Sequence, residues 1–367
     1  QRSSFMKFDR SHGPSTRPKR RPWCAFALLS ILVAGCGGGS SGPACSPGDI
    51  AAVESEMDVR LAQADSEVPF SFAVDSQNGR RYTHNRGAST LQTPYESASA
   101  SKLVSSVMLM RLVERGYLDL DDRPQDYITG WPIGSSNTLY PMTLAHLMSF
   151  TSGLTQEPAC LHDAFSDFDS CIIEIANLNA GNGLTPGTQF YYSASDQQVA
   201  GMMAIEARGV ASWQDIFAEF KAQTGLFPTS TFDVTSQANP RIAGGMNFIG
   251  EEYLAFLKAF REGRLLNSAS MSQMLADRTA GLPIVYSPFK TGIGGGPGLG
   301  EDWHFGFGLA HECQSATFNC VAGTRISLLS AIEEGLGLLR WWPGDVPAHA
   351  PIPRVELCRG THAEPTV

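Results

Sequence analysis

Positive charge is scarce in this chain. Its 27 Lys and Arg stand against 36 Asp and Glu, and seven of the basic residues lie within the first 22 positions. Without those seven and the one acid among them, Asp9, the formal net charge moves from −9 to −15. Such a surface has no electrostatic case for binding nucleic acid. No apolar run reaches the roughly 20 residues that a membrane-spanning helix requires; the stretch Ala25 to Val33 falls well short of it. No C-x-x-C and no clustered histidine accompanies the eight cysteines, so the ligand spacing of a zinc site is missing and no cofactor is called for. There is no internal repeat, which argues against solenoids and propellers. What is present is 43% hydrophobic residues over 367 positions, enough to bury a large core in one domain or two interleaved ones and too much for a disordered chain.

The basic start, the short apolar run and the small residues of Val33-Ala34-Gly35 before Cys36 read together as a signal peptide over 1–35 with a lipid-accepting cysteine. The expectation is an acidic monomer held by Cys36 on the outer side of a bacterial membrane, with 36–47, including Gly37 to Pro43, as a flexible tether. That tether contains a G-x-S-x-G, Gly38 to Gly42. No strand precedes it and no helix follows, so it is not a nucleophile elbow.

The stretch with chemical content runs from Tyr95 to Gly116, YESASASKLVSSVMLMRLVERG. Its many apolar residues and few breakers predict a helix buried on most sides, with Ser99-Ala100-Ser101-Lys102 in the first turn. Residues three apart share a face, so the Ser99 hydroxyl and Lys102 amine can meet beside the first-turn N–H groups. A serine needs an adjacent base to become a nucleophile, and a lysine serves when burial and neighbours favour its neutral form. As a short motif, S-x-x-K alone is equally compatible with a polar first turn on an ordinary core helix.

The S-A-S-K core, the LVERGYLDLDD continuation, the MTLAHLMSFTSGL segment at 142–154 and PGTQFYYSASDQQVAGMMAIEARG at 186–209 together resemble the serine beta-lactamase-related hydrolases. This group includes class C beta-lactamases, D-alanyl-D-alanine carboxypeptidases and esterases of the same fold. The resemblance covers about 48–327 and implies an α/β (α+β) fold: an antiparallel sheet flanked by helices, with an inserted all-helical subdomain at about 117–230, inside a domain of 48–342. It implies that Ser99 forms an acyl-enzyme on an ester or amide (a beta-lactam, a D-amino-acid peptide or a short ester), that Lys102 handles its proton, and that Tyr192 is the second base. Tyr191 is a rival in register, but Pro186-Gly187 favours Tyr192. Ala194 stands where the family often has asparagine. The family's third motif, K-T-G or H-x-G, should follow the strand expected at HFGFGL, His304 to Leu309. The literal Lys290-Thr291-Gly292 precedes that segment, and the residues after Gly323 to Ser327 contain no such triplet.

Other elements are read from periodicity. A helix is expected from about Gly48 to Gln63 and a hairpin around Gln77-Asn78-Gly79. Further helices are expected over Thr143 to Phe150, Asp169 to Leu178, Ala194 to Ala207, Trp213 to Ala222 and Glu251 to Arg261. The glycine-rich segment between Ile284 and Asp302 reads as an irregular loop near the site. In an exported protein the cysteines nearest in sequence, Cys160 with Cys171 and Cys313 with Cys320, are disulfide candidates. Glu333 to Trp342 is apolar enough for a strand, while Pro343, Pro347, Pro351 and Pro353 make 343–367 an irregular tail. A shifted reading frame, a decayed gene end and genuine divergence all account for that tail. Two functional classes stay open: an active serine hydrolase on a small-molecule or peptide substrate, and a non-catalytic lipoprotein that binds cell-wall peptides or a protein partner.

Overall fold

Pro47 opens α1 (Pro47–Ala62) at the first helical position, where its missing N–H breaks no bond. The hairpin follows as β1 (Phe70–Asp75) and β2 (Arg81–Arg86), antiparallel from Phe70 opposite Arg86 to Asp75 opposite Arg81. The computed structural model describes residues 51–63, 69–75, 79–290 and 303–311, and the backbone of 47–50, 291, 312 and 325–327. All of them belong to one unit, Cys45–Cys358. The expectations for Cys36, Gly292, Cys313, Cys320, the tether and the tail fall outside the described residues.

β3 (Pro94–Glu96) leads through a 3₁₀ turn, Ala98–Ala100, into α2 (Ser101–Glu114). Every residue of α2 except Arg111, Val113 and Glu114 is buried, and Val104, Val107 and Leu109 are fully enclosed. A helix apolar on all sides has to be central. Full burial of each of those side chains contributes about 1.5–3 kcal/mol. The polar residues of α2 are accommodated individually: Ser105 Oγ donates to Ile242 O at 2.8 Å, and Gln197 Nε2 donates to Ser106 Oγ at 3.0 Å.

Residues 117–230 carry α3 (Pro124–Tyr127), α4 (Leu144–Met148), α5 (Phe168–Asn179), α6 (Ala194–Arg208) and α7 (Trp213–Thr224). They are not purely helical, because β4 (Phe190–Tyr191) interrupts them. Thr143 caps α4 by accepting from His146 N, and Ser193 caps α6 by accepting from Ser195 N. α6 is buried from Ser195 to Ile205 and packs against α2. The approach of Ile242 to α6 depends on Gly201, where a Cβ would come within 2.6 Å of Ile242 Cγ1.

β5 (Thr231–Phe232), β6 (Met246–Ile249), α8 (Gly250–Arg261) and α9 (Ser268–Leu275) follow, with β3 and β5 both antiparallel to β6. Next come β7 (Ile284–Tyr286) and α10 (Pro288–Thr291), so the segment expected to be irregular begins as a strand and a short helix. β7 pairs parallel with β4, an exception to the antiparallel pattern. The last described elements are β8 (His304–Phe305), β9 (Ala310–Glu312) and β10 (Arg325–Ser327), antiparallel in that spatial order. HFGFGL is therefore not one strand. It turns between β8 and β9, with Gly306 N donating to Leu309 O at 3.0 Å and Gly308 at φ +70°.

Cys160 and Cys171 form a disulfide, with Cα atoms 5.5 Å apart. The bridge ties the start of α5 to the loop before it. Closing a loop of 11 residues contributes about 3 kcal/mol in the chain-entropy account. Cys160→Ser/Cys171→Ser should therefore lower the denaturation midpoint by a corresponding amount. Equal unfolding curves for the oxidised and doubly substituted chains would refute that contribution.

Candidate active site

Ser99 occupies the 3₁₀ turn rather than the α-helix itself. The turn suits the chemistry, because side chains at i and i+3 eclipse at three residues per turn. Lys102 Nζ donates to Ser99 Oγ at 3.2 Å and to Ala243 O at 3.1 Å, and only 5% of the lysine is exposed. Ser99 is half-buried and reachable from solvent. The residue before it, Ala98, has φ +41°, a left-handed conformation that costs an alanine about 1–2 kcal/mol. Tyr253 Oη donates to Ala100 O at 3.0 Å, and the Ser97 and Ser101 hydroxyls are hydrogen-bonded, so the strained turn is held from both ends.

Tyr192 reaches the site because its neighbours fix the chain on either side. Gly187 N donates to Thr151 O, Tyr191 N to Phe150 O, and Tyr192 N to Tyr286 O, at 2.8, 3.0 and 3.0 Å. The Pro186-Gly187 turn needs its glycine, which has φ +77° and faces His146 Nε2. Tyr192 then packs among Phe150 and Phe305, and Lys102 Nζ lies 4.6 Å from the centre of its ring. Tyr191 instead packs against Tyr286 with the two rings tilted, their centroids 5.1 Å apart. The three residues named from the sequence, Ser99, Lys102 and Tyr192, are thus brought together.

Lys290 is placed differently from a third-motif lysine. It lies in α10, not on a strand, and its Nζ donates to Ile284 O at 2.9 Å. Thr291 ends the same helix.

Asp196, which no motif singles out, adjoins the site on the first turn of α6. Burial pushes its carboxyl well above the usual carboxylate range, the bond from Ser152 opposing that shift. Ser152 Oγ donates to Oδ1 at 2.6 Å, and Oδ2 has no hydrogen-bond partner among the described residues. Burial thus disfavours the charged form of Asp196, and the attraction of Lys102 is the smallest of the influences on it. Ser152 belongs to the SFTSGL stretch that carries part of the family resemblance, but nothing in the spacing joins it to Asp196. Glu157 accepts the Ala194 N–H at 2.5 Å, where the family's asparagine would stand. Among the described residues no cluster of His, Cys, Asp and Glu has the geometry of a metal site.

The β8–β9 hairpin closes the site from behind. Phe307 N donates to Met274 O and Gly308 N to Met148 O, each at 3.1 Å. His304 and His311 face one another across the pair, and Asp277 lies 2.6 Å from His304 Nδ1. Burial lowers the His311 imidazole to about 4, Asp277 partly opposing and His304 adding to the shift. Between the ordinary histidine value near 6.5 and that value, the unfolded chain takes up a proton that the folded chain refuses. Stability therefore falls as pH drops through that window, by about 3 kcal/mol. Asp277, held below the usual carboxylate range by its bonds to His304 and Thr279 although burial pulls the other way, adds a loss of the same sign at lower pH. Denaturant midpoints measured from pH 7 to pH 4 should show the decline, and His311→Gln should flatten it. An unchanged slope in His311→Gln would contradict the assignment.

The Beta-lactamase family pattern matches residues 59–312. Penicillin-binding protein 4 of Amycolatopsis lactamdurans is 26% identical over 133 residues, 35% of this chain and 33% of that protein. The chain thus spans about a third of the length of that relative. A Bacteroides dorei DSM 17855 protein described as a beta-lactamase superposes with a TM-score of 0.59 at 23% identity, over 76% of this chain and 83% of its own. A D-stereospecific amidohydrolase from Streptomyces superposes at 0.55 and 19% identity, over 77% and 87%.

Proposed function

We propose, because the chain belongs to the beta-lactamase family, that it is a serine hydrolase acting through an acyl-enzyme on Ser99. The observation that carries the reading is the 3.2 Å contact between Lys102 Nζ and Ser99 Oγ, with Tyr192 closing the other side of the amine. In this scheme Ser99 Oγ attacks the carbonyl carbon of an ester or amide. Its proton passes to the Lys102–Tyr192 pair and is returned to the leaving oxygen or nitrogen as the bond from that atom to the carbonyl carbon breaks. Water then attacks the acyl group, giving up a proton to the same pair, and Ser99 recovers its own.

Ala194 and the position of Lys290 favour a second reading, a chain that keeps the fold to bind cell-wall peptides or a partner without turnover. The two part on one experiment. A short-chain 4-nitrophenyl ester, a D-amino-acid amide and a chromogenic cephalosporin are offered to the protein. Hydrolysis of any of them above background supports the hydrolase. No turnover of all three would leave the binding reading in its place.

A further inference from the structure

Arg241 sits in the tight turn that carries the chain from α7 and β5 back to the nucleophile's helix. Its backbone is fixed: the N–H donates to Val234 O at 2.7 Å, and the carbonyl accepts from Gly244 at 3.0 Å and Gly245 at 2.6 Å. The two residues after it hold α2 directly, Ile242 O accepting from Ser105 Oγ and Ala243 O from Lys102 Nζ. The position of Arg241 is therefore locked to that of Ser99 and Lys102.

Its side chain, in contrast, has no partner among the described residues. Nε is cut off from solvent without a hydrogen bond, and no described residue forms an ion pair or hydrogen bond with the guanidinium. Arg261 and Arg278 also have an unbonded, buried Nε, but each anchors a terminal nitrogen, on Asp75 O and Gln273 O. Arg81, Arg115 and Arg208 are paired with carboxylates. A buried Nε left unpaired is unfavourable, and the guanidinium that carries it is the planar fork that fits a carboxylate with two parallel bonds.

The fork is also in the right place. A side-chain carbon built on Gly244 would lie 3.4 Å from Arg241 Nη2 and 3.5 Å from both the carbonyl carbon and the oxygen of Ala98. Guanidinium and the Ala98–Ser99 peptide thus flank one point, and the absence of a side chain at Gly244 leaves that point open.

We propose that Arg241 recognises a free carboxylate on the substrate, so that this hydrolase selects acidic esters or amides over neutral ones. The proposal rests on the serine hydrolase reading above, and it assigns a specificity-determining role to a residue outside the Ser99–Lys102–Tyr192 set.

The test uses two matched pairs, the acid and its methyl ester in each: 4-nitrophenyl hemiglutarate, with the charge on the acyl side, and S-hexanoyl thioglycolate, with the charge on the leaving group. In at least one pair kcat/KM for the acid should exceed that for the methyl ester by roughly ten- to hundredfold, as for a charge-assisted hydrogen bond. Arg241→Gln should collapse that ratio to near one, and Arg241→Lys should restore part of it. Thermal melts provide a readout that a merely structural arginine would fail. Removing a buried unpaired donor should leave the melting temperature of Arg241→Gln equal or higher, whereas unfolding of that variant would overturn the proposal. A binding arm separates the proposal from the reading beneath it. In Ser99→Ala, calorimetric titration should show the acid of at least one pair binding more tightly than its methyl ester, and a second change, Arg241→Gln, should abolish the difference. If neither pair is turned over but this difference appears, the hydrolase reading fails and the carboxylate site stands. No preference in turnover or binding, or a preference that survives Arg241→Gln, would overturn it.

Discussion

Replacing Ser99 with alanine is expected to lower kcat for an activated ester by about a millionfold, the scale on which a serine hydrolase loses its nucleophile. Ser99 is the half-buried hydroxyl of a strained turn, with an amine 3.2 Å away, and neither Ser97 nor Ser101 can replace it. Those two are fully buried, and their hydroxyls bond one another. Lys102→Ala should cost about a hundredfold to ten-thousandfold, the range for a general base. Lys102→Arg should not rescue it, because a guanidinium keeps its proton. Steady-state kinetics on folded protein, checked by circular dichroism, decide both. Ser99→Ala with undiminished turnover would remove the nucleophile assignment, and full activity in Lys102→Arg would remove the proton-transfer role of Lys102.

Gly308→Ala should have a large effect although it lies away from the reacting atoms. A Cβ there would lie 2.1 Å from Ser106 Oγ and 2.7 Å from Lys102 O, and the residue has φ +70°. Neither obstacle is a flexible tip. Lys102 O is backbone of α2, and Ser106 Oγ is fixed by Gln197 Nε2, which also donates to Lys102 O at 3.0 Å. The hairpin would have to lift from the helix, breaking the bond from Gly308 N to Met148 O. Overpacking together with the left-handed backbone should cost about 3 kcal/mol or more, and activity should fall with it as Lys102 shifts. Chemical denaturation and ester turnover measured on the same preparation check this. A variant as stable and as active as the parent would show that the hairpin does not press on the site. Gly79→Ala is an instructive contrast: it also has positive φ but faces open space, so it should cost only about 1 kcal/mol of backbone strain.

What the sequence revealed and what it concealed follow from how local each signal is. The central helix α2 was legible because a mainly apolar run behind a polar first turn fits few structures besides a buried helix, and the placement of Tyr192 beside Lys102 because a Pro-Gly turn fixes register. The Cys160–Cys171 bridge was legible from proximity alone. HFGFGL misled because alternating aromatics and glycines read as a strand, whereas Gly308 is glycine for a tertiary reason, the nearness of Ser106. Lys290-Thr291-Gly292 matched a motif by composition, yet Ser287 and Pro288 start a short helix there and the lysine turns back to Ile284 O. Asp196 and Arg241 left no trace in spacing. Each matters through a missing partner, and a missing partner is visible only once the surroundings are built.

The central claim is that Ser99 is an activated nucleophile, and covalent labelling tests it most directly. A serine-directed fluorophosphonate is incubated with the protein, and the adduct is located by peptide mass spectrometry, with Ser99→Ala and Lys102→Ala as controls. The expected result is a single stoichiometric adduct on Ser99, absent from Ser99→Ala and formed far more slowly in Lys102→Ala. No adduct on the native chain, or labelling of another residue that persists in Ser99→Ala, would contradict it.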